Sequence, residues 1–250
     1  KLFFISAIFG AIFNLGIILE NNNLNTLLLL RFLTGFSLAG IYPVGMKLAA
    51  DYYDKGLGKS LGYLVGALVL GTAFPHFLKT FTGTENLPWR WVIVATSLFA
   101  FLGGLLILLF VPNGPYRKAK RKFNFSAVFR VFSNKKLRNA AFGYFGHMWE
   151  LYTFWAFVPI ILAAYKFSIP NSDFDVSFWS FLIIGIGGVS CVLGGYISEI
   201  LGVKKTATIA LLLSGICCLA FPFIFLQAST VVLITFLCFW GIVVVADSPL

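Results

Sequence analysis

An all-α polytopic membrane protein is the fold class this sequence predicts, on three observations. Eight long apolar segments run through the 250 residues. Each is near the roughly 20 residues a helix needs to cross a hydrocarbon core about 30 Å thick. Hydrophobic residues make up 59% of the chain and charged residues 11%, against about 25% charged in a soluble domain. The basic residues collect in every second gap between the segments. The net charge of +10 therefore reads as membrane topology and argues against a nucleic-acid partner.

The expected spans, in order, are Leu2–Leu19, Thr26–Ala50, Leu61–Phe81, Trp91–Pro112, Asn139–Tyr165, Val176–Leu201, Thr206–Leu226 and Thr230–Leu250. Helices are required because backbone polar groups in lipid must be satisfied within the segment. A transmembrane barrel would show short alternating strands instead. One set of gaps holds 14 Lys and Arg, the other 3, and Arg31 and Lys47 lie inside a span. The rich side is expected to be cytoplasmic, in a plasma (inner) membrane, with both ends of the chain on that side.

The one long loop, residues 113–138, separates segments 1–112 and 139–250. Nine of the 19 Lys and Arg fall between Arg117 and Arg138. Phe125, Val128, Phe129 and Phe132 have helical spacing, as in a helix lying on the inner membrane surface; a basic loop that only fixes topology is the alternative. The four cysteines, Cys191, Cys217, Cys218 and Cys238, all lie in apolar segments without metal-ligand spacing and read as packing residues. No metal or cofactor is expected. The chain starts at Lys1 and ends at Leu250 inside an apolar run, and is expected to be an internal piece of a longer protein.

Ionisable groups inside spans carry the functional reading, because a charge at mid-bilayer costs a few kcal/mol even on lenient scales. His147 and Glu150 are three apart and share a helix face with Leu151 and Phe154. They form either a proton-coupling or substrate-contacting pair, or a structural latch between helices. Arg31 keeps its proton and attracts an anion or orients an acid; snorkelling to the outer interface is the alternative. Lys47 lies about 24 Å further along the same expected helix. It has Asp51 at i+4, which reads as a local pair at the membrane edge or as an inner-gate contact. Asp247, in Ala246-Asp247-Ser248-Pro249, is a gate or proton-path candidate. Trp149, Tyr152, Trp155 and Tyr42 are candidates to line a central cavity. Gly62, Gly66 and Gly71, and the set from Gly185 to Gly195, permit close helix approach.

Two stretches suggest a family. Arg31-Phe-Leu-Thr-Gly35-Phe-Ser-Leu-Ala39-Gly40-Ile-Tyr42-Pro43-Val-Gly45 resembles motif B of the major facilitator superfamily. Gly194-Gly195-Tyr196-Ile-Ser198-Glu199-Ile-Leu-Gly202-Val-Lys204-Lys205 resembles the second copy of its motif A hairpin, with Glu199 in place of the Asp and Ile200 in place of the first Arg. Tyr42 to Tyr53 and Gly146 to Tyr152 look like a bacterial branch labelled nitrate/nitrite or cyanate permease-like, although the sixth span lacks the pore Arg that nitrate carriers are expected to have. The resemblance implies eight of twelve helices. Residues 1–112 would be the last four helices of an N-terminal six-helix bundle. Residues 113–138 would be a cytoplasmic linker, and residues 139–250 the first four helices of the C-terminal bundle. Gly35 and Pro43 are spaced like Gly241 and Pro249, in keeping with the parallel repeat of such carriers.

The expected function is secondary active transport of a small polar solute, an anion slightly favoured, by alternating access and with proton coupling. The protein would be a monomer in the bilayer. A multi-helix receptor or scaffold without transport is the alternative. An enzyme is not expected, since no nucleophile or metal constellation accompanies His147 and Glu150. The substrate and proton candidates are Arg31, Tyr42, His147, Glu150, Trp149 and Asp247. The gate and hairpin candidates are Lys47, Asp51, Gly195, Glu199, Gly202, Lys204 and Lys205.

Overall fold

The computed structural model describes residues 1–19, 23–53, 57–81, 89–117, 132–169, 172–225, 227 and 229–250. The helix anticipated around Phe125 lies mostly outside them. Among the described residues there are nine helices and no strand. In chain order these are α1 (Leu2–Gly16), α2 (Leu24–Leu38), α3 (Tyr42–Ala50), α4 (Leu57–Phe81), α5 (Trp89–Phe110), α6 (Lys135–Ser168), α7 (Val176–Leu201), α8 (Val203–Ile224) and α9 (Thr230–Val243).

Among the described residues, six segments are long and apolar enough to cross a membrane, counting Leu24–Ala50 as one; α1 and α9 are shorter apolar helices. The span expected over Thr26–Ala50 is interrupted. Proline at 43 has no N–H, and its ring would clash with the carbonyl four residues back. Residues 39–41 accordingly form a turn, closed by i→i−3 bonds from Gly40 to Ser37 (3.0 Å) and from Ile41 to Leu38 (2.9 Å). Arg31 and Lys47 thus lie on two helices and not on one. The last span also falls short, because α9 ends at Val243 and turns cover 244–249. The fifth starts earlier than expected, at Lys135. The Asn134 side chain caps it by accepting from the backbone N–H groups of Lys136 (3.0 Å) and Leu137 (3.4 Å). At 34 residues this helix is about 51 Å long, so part of it, with Lys135, Lys136 and Arg138 on its first turn, extends past the hydrocarbon core.

The chain divides into two compact units. The first comprises the described parts of Lys1–Ser60 and Phe74–Arg117, the second those of Leu61–Ala73 and Lys118–Leu250. In the first, α1 packs on α5 and α2 through small residues. A Cβ on Gly104 would come 2.7 Å from that of Ala7.

The second unit has the larger core. Leu151, Phe154, Val158, Leu162 and Tyr165 form a buried stripe along α6, against Ile183 and Ile184 of α7 and Leu233 and Leu237 of α9. Glycine brings two backbones together here, as expected for Gly62 and Gly66. A Cβ on Gly66 would come 2.6 Å from the Gly188 carbonyl, and one on Gly62 2.8 Å from that of Cys191. Gly71 has open space instead.

Candidate functional site

His147 sits on the buried stripe of α6, one turn before Leu151, and is 6% exposed. Its Nε2 lies 2.8 Å from Ser248 Oγ. Its Nδ1 lies 3.4 Å from Asp247 Oδ1, an ion-pair distance without hydrogen-bond geometry. Both partners come from the turns after α9. Pro249 is responsible for this local geometry, since its ring excludes a helical carbonyl at Val245. The chain switches to i→i−3 bonds, Ser248 to Val245 (3.0 Å) and Leu250 to Asp247 (2.9 Å). The Cys191 thiol also donates to the Val245 carbonyl (3.4 Å), so the carbonyl displaced from the helix is satisfied by a neighbour.

The turn is pressed against α7. Ser190 Oγ donates to the Ile242 carbonyl at 2.5 Å. Gly194 faces the Ala246 carbonyl so closely that a Cβ would have no room. This close approach delivers Asp247 and Ser248 to His147.

Glu150, half-buried at the edge of the same helix face, has different partners. Ser214 of α8 donates its hydroxyl proton to Glu150 Oε1. Trp240 Nε1 of α9 in turn donates to Ser214 Oγ (3.1 Å). His147 and Glu150, grouped by their spacing, therefore belong to two polar sets. One joins α6 to the turn after α9, the other joins α6, α8 and α9. Trp149 is 80% exposed. Trp155 is buried in the core, edge-on to Tyr152 at 5.4 Å.

In the first unit Arg31 Nη1 donates to Asn14 Oδ1 (3.4 Å). The Asn14 amide nitrogen donates to Ser97 Oγ (2.9 Å) and Thr96 Oγ1 (3.2 Å) of α5. Arg31 thus heads a neutral chain of side chains across α2, α1 and α5. Among the described residues no carboxylate pairs with it. Tyr42 is half-buried at the start of α3. Lys47 and Asp51 form the i,i+4 pair that their spacing predicts, at 2.7 Å. Asp51 is buried, because the chain after α5 folds over it. Its carbonyl accepts from Tyr116 N (3.0 Å), and Tyr52 Oη donates to the Pro112 carbonyl (2.5 Å).

The hairpin that resembles motif A joins α7 directly to α8 through Gly202. Its φ of +85° is disfavoured for side-chain-bearing residues. Gly195 is buried, and Glu199, Lys204 and Lys205 are exposed around the turn. Among the described residues, no group of three His, Cys, Asp or Glu could hold a metal ion.

Ser214, Trp240, Asn14 and Ser97 were not singled out from the sequence. Asn14 carried a readable signal, being an amide within an apolar span. The other three are ordinary residues whose role follows only from which neighbours face them.

Comparison with known proteins gives the family. Residues 1–246 match the family described as Major Facilitator Superfamily. An uncharacterised transporter of Schizosaccharomyces pombe is 21% identical over 206 residues, covering 71% of this chain and 40% of that protein. An MFS transporter of the ascochitine biosynthesis cluster in Didymella fabae is 30% identical over 92 residues, covering 36% of this chain and 18% of that protein. The chain thus spans well under half the length of the curated relatives it matches, and both are fungal. Helices of membrane-crossing length, the hairpin at Gly202 and a match along nearly the whole chain lead to one conclusion: this protein belongs to the major facilitator superfamily.

Proposed function

We propose that the chain is the central part of a secondary active transporter that moves a small polar solute by alternating access. The observation that carries this reading is the placement of His147, Asp247 and Glu150. All three lie in one apolar helical unit, and each is joined to a different helix or turn. Ionisable groups are costly in a membrane and persist where they move ions or solute. His147 and Asp247 exchange protons as the turn after α9 approaches and leaves α6, which couples the cycle to a proton gradient. Glycine contacts at Gly62, Gly66 and Gly194 supply the close seams along which helices can slide.

Arg31 favours an anionic solute, because its partner Asn14 is neutral and no carboxylate among the described residues balances its charge. Residues 1–112 and 139–250 belong to the two halves of the carrier, with the basic 113–138 stretch cytoplasmic. The protein works as a monomer in the plasma membrane.

The test uses full-length protein in detergent, screened for thermal stabilisation by small anions, cations, sugars and amino acids, since a ligand bound only to the folded state raises its melting point. The expected result is stabilisation by one anion series, lost in Arg31→Gln. The solute found is then added to proteoliposomes holding a pH-sensitive dye. Solute-driven proton movement, abolished in Asp247→Asn, supports coupling. Binding without flux would instead make the protein a receptor or scaffold.

A further inference from the structure

Three helices of the first unit bring polar side chains to one level. Arg31 lies about 10 Å along α2 from its start at Leu24, and Ser97 about 12 Å along α5 from Trp89. Asn14, on the last turn of α1, joins them. An arginine at such a depth, held by nothing, snorkels to the nearer interface.

Both ends of the Asn14 amide meet partners that work one way only. A guanidinium can only donate, so Oδ1 faces Arg31, 3.4 Å from Nη1. A main-chain carbonyl can only accept, so Nδ2 faces that of Ile93 on α5 (3.4 Å). Thr96 gives its own hydroxyl proton to the Val92 carbonyl (2.8 Å) and accepts from Nδ2 (3.2 Å). Ser97, 2% exposed, accepts from Nδ2 through Oγ at 2.9 Å. The amide is thus anchored on α5, and the exposed Arg31 is the partner free to move. An aspartate in place of Asn14 would cancel the arginine's charge. The amide oxygen directs that charge and leaves it whole.

We infer that Asn14 is the positioning residue for Arg31. Keyed to α5 by Thr96 and Ser97, it keeps the guanidinium inside the span, at full charge, to meet an anion. The inference rests on the reading that Arg31 contacts the solute and adds how that contact is prepared.

The test uses full-length protein in lipid nanodiscs and the arginine reagent phenylglyoxal, with modification at Arg31 read by peptide mass spectrometry. Arg90, exposed at the start of α5, is the internal reference. Asn14→Leu, close to asparagine in volume, frees the guanidinium to reach the interface. Its modification relative to Arg90 rises about tenfold, the loss of one hydrogen bond to a charged group. Ser97→Ala loosens the anchor and gives a smaller rise, and it decides if Asn14→Leu fails to fold. Asn14→Asp ties the guanidinium to a carboxylate and slows its modification, while the protein melts no lower than wild type. An anion that stabilises the wild type then stabilises Asn14→Leu less and Asn14→Asp not at all. Unchanged Arg31 modification in Asn14→Leu and Ser97→Ala overturns the proposal, even where the melting point falls. So does an anion that stabilises Asn14→Asp as it does the wild type. If no anion stabilises the wild type, the anion reading fails, and the modification rates still decide whether Asn14 holds Arg31.

Discussion

The two proline breaks, at Pro43 in the first unit and at Pro249 in the second, start from the same local chemistry and end differently. Each proline lies eight residues after a glycine, Gly35 and Gly241. In each case the helix stops short of it, at Leu38 and at Val243, and i→i−3 bonds take over. After the first break the chain re-enters a helix, and the turn meets α1, where Gly40 faces Ser6. After the second it stays in turns, wedged against Gly194 and Cys191 of α7, and presents Asp247 and Ser248 to His147. Local sequence breaks a helix. The neighbour that receives the exposed backbone decides whether the break is only a bend or part of a site.

Four substitutions test this contrast, and the largest effect should come from the second break. His147→Leu leaves Asp247 buried without its partner and is expected to cost about 3 kcal/mol, read by denaturation of the full-length protein. Replacing Asp247 with Ala as well should recover part of the loss. Full additivity of the two changes would show that the pair is not coupled.

Gly194→Ala comes next. Its methyl would meet backbone, the Ala246 carbonyl, which cannot rotate aside, so a loss of about 2 kcal/mol is expected. An unchanged melting point would mean that the turn is free to lift off α7. Gly35→Ala is the control, because its Cβ has open space; relieving a glycine within a helix should stabilise by roughly 0.5–1 kcal/mol.

Gly40→Ala probes the first break. The methyl would run into the Ser6 side chain, whose Cβ is 3.0 Å away. The expected cost is about 1 kcal/mol, relieved by Ser6→Gly. If Ser6→Gly gives no relief, the glycine is needed for the turn itself.

The smallest effect belongs to Cys191→Ala. It removes the thiol that donates to the Val245 carbonyl, a loss of about 0.5–1 kcal/mol. Ser248 N also donates to that carbonyl, which keeps the penalty low. Cys191→Ser should retain the bond and lie closer to wild type.

Length and hydropathy were enough to locate the apolar helices, though not the breaks at Pro43 and Pro249, because a bilayer requires long apolar helices whatever they pack against. Lys47 and Asp51 were readable as a pair, since i and i+4 meet on any helix. The tight turn at Gly202 was readable only through the resemblance to the motif A hairpin. Pro43 was visible too, but the apolar run continues through it, and composition alone does not register one missing N–H.

What only the tertiary structure decided is which polar group meets which. His147 and Glu150 share a helix face by spacing, yet their side chains reach partners 101 and 64 residues away in sequence. Ser214, Trp240 and Ser97 look like ordinary span residues until the helices around them are in place. A helix's own sequence fixes its length and its buried face through local hydrogen bonds and periodicity. The pairing of side chains across helices depends on rotation and register, and here these depend on where glycines let backbones touch.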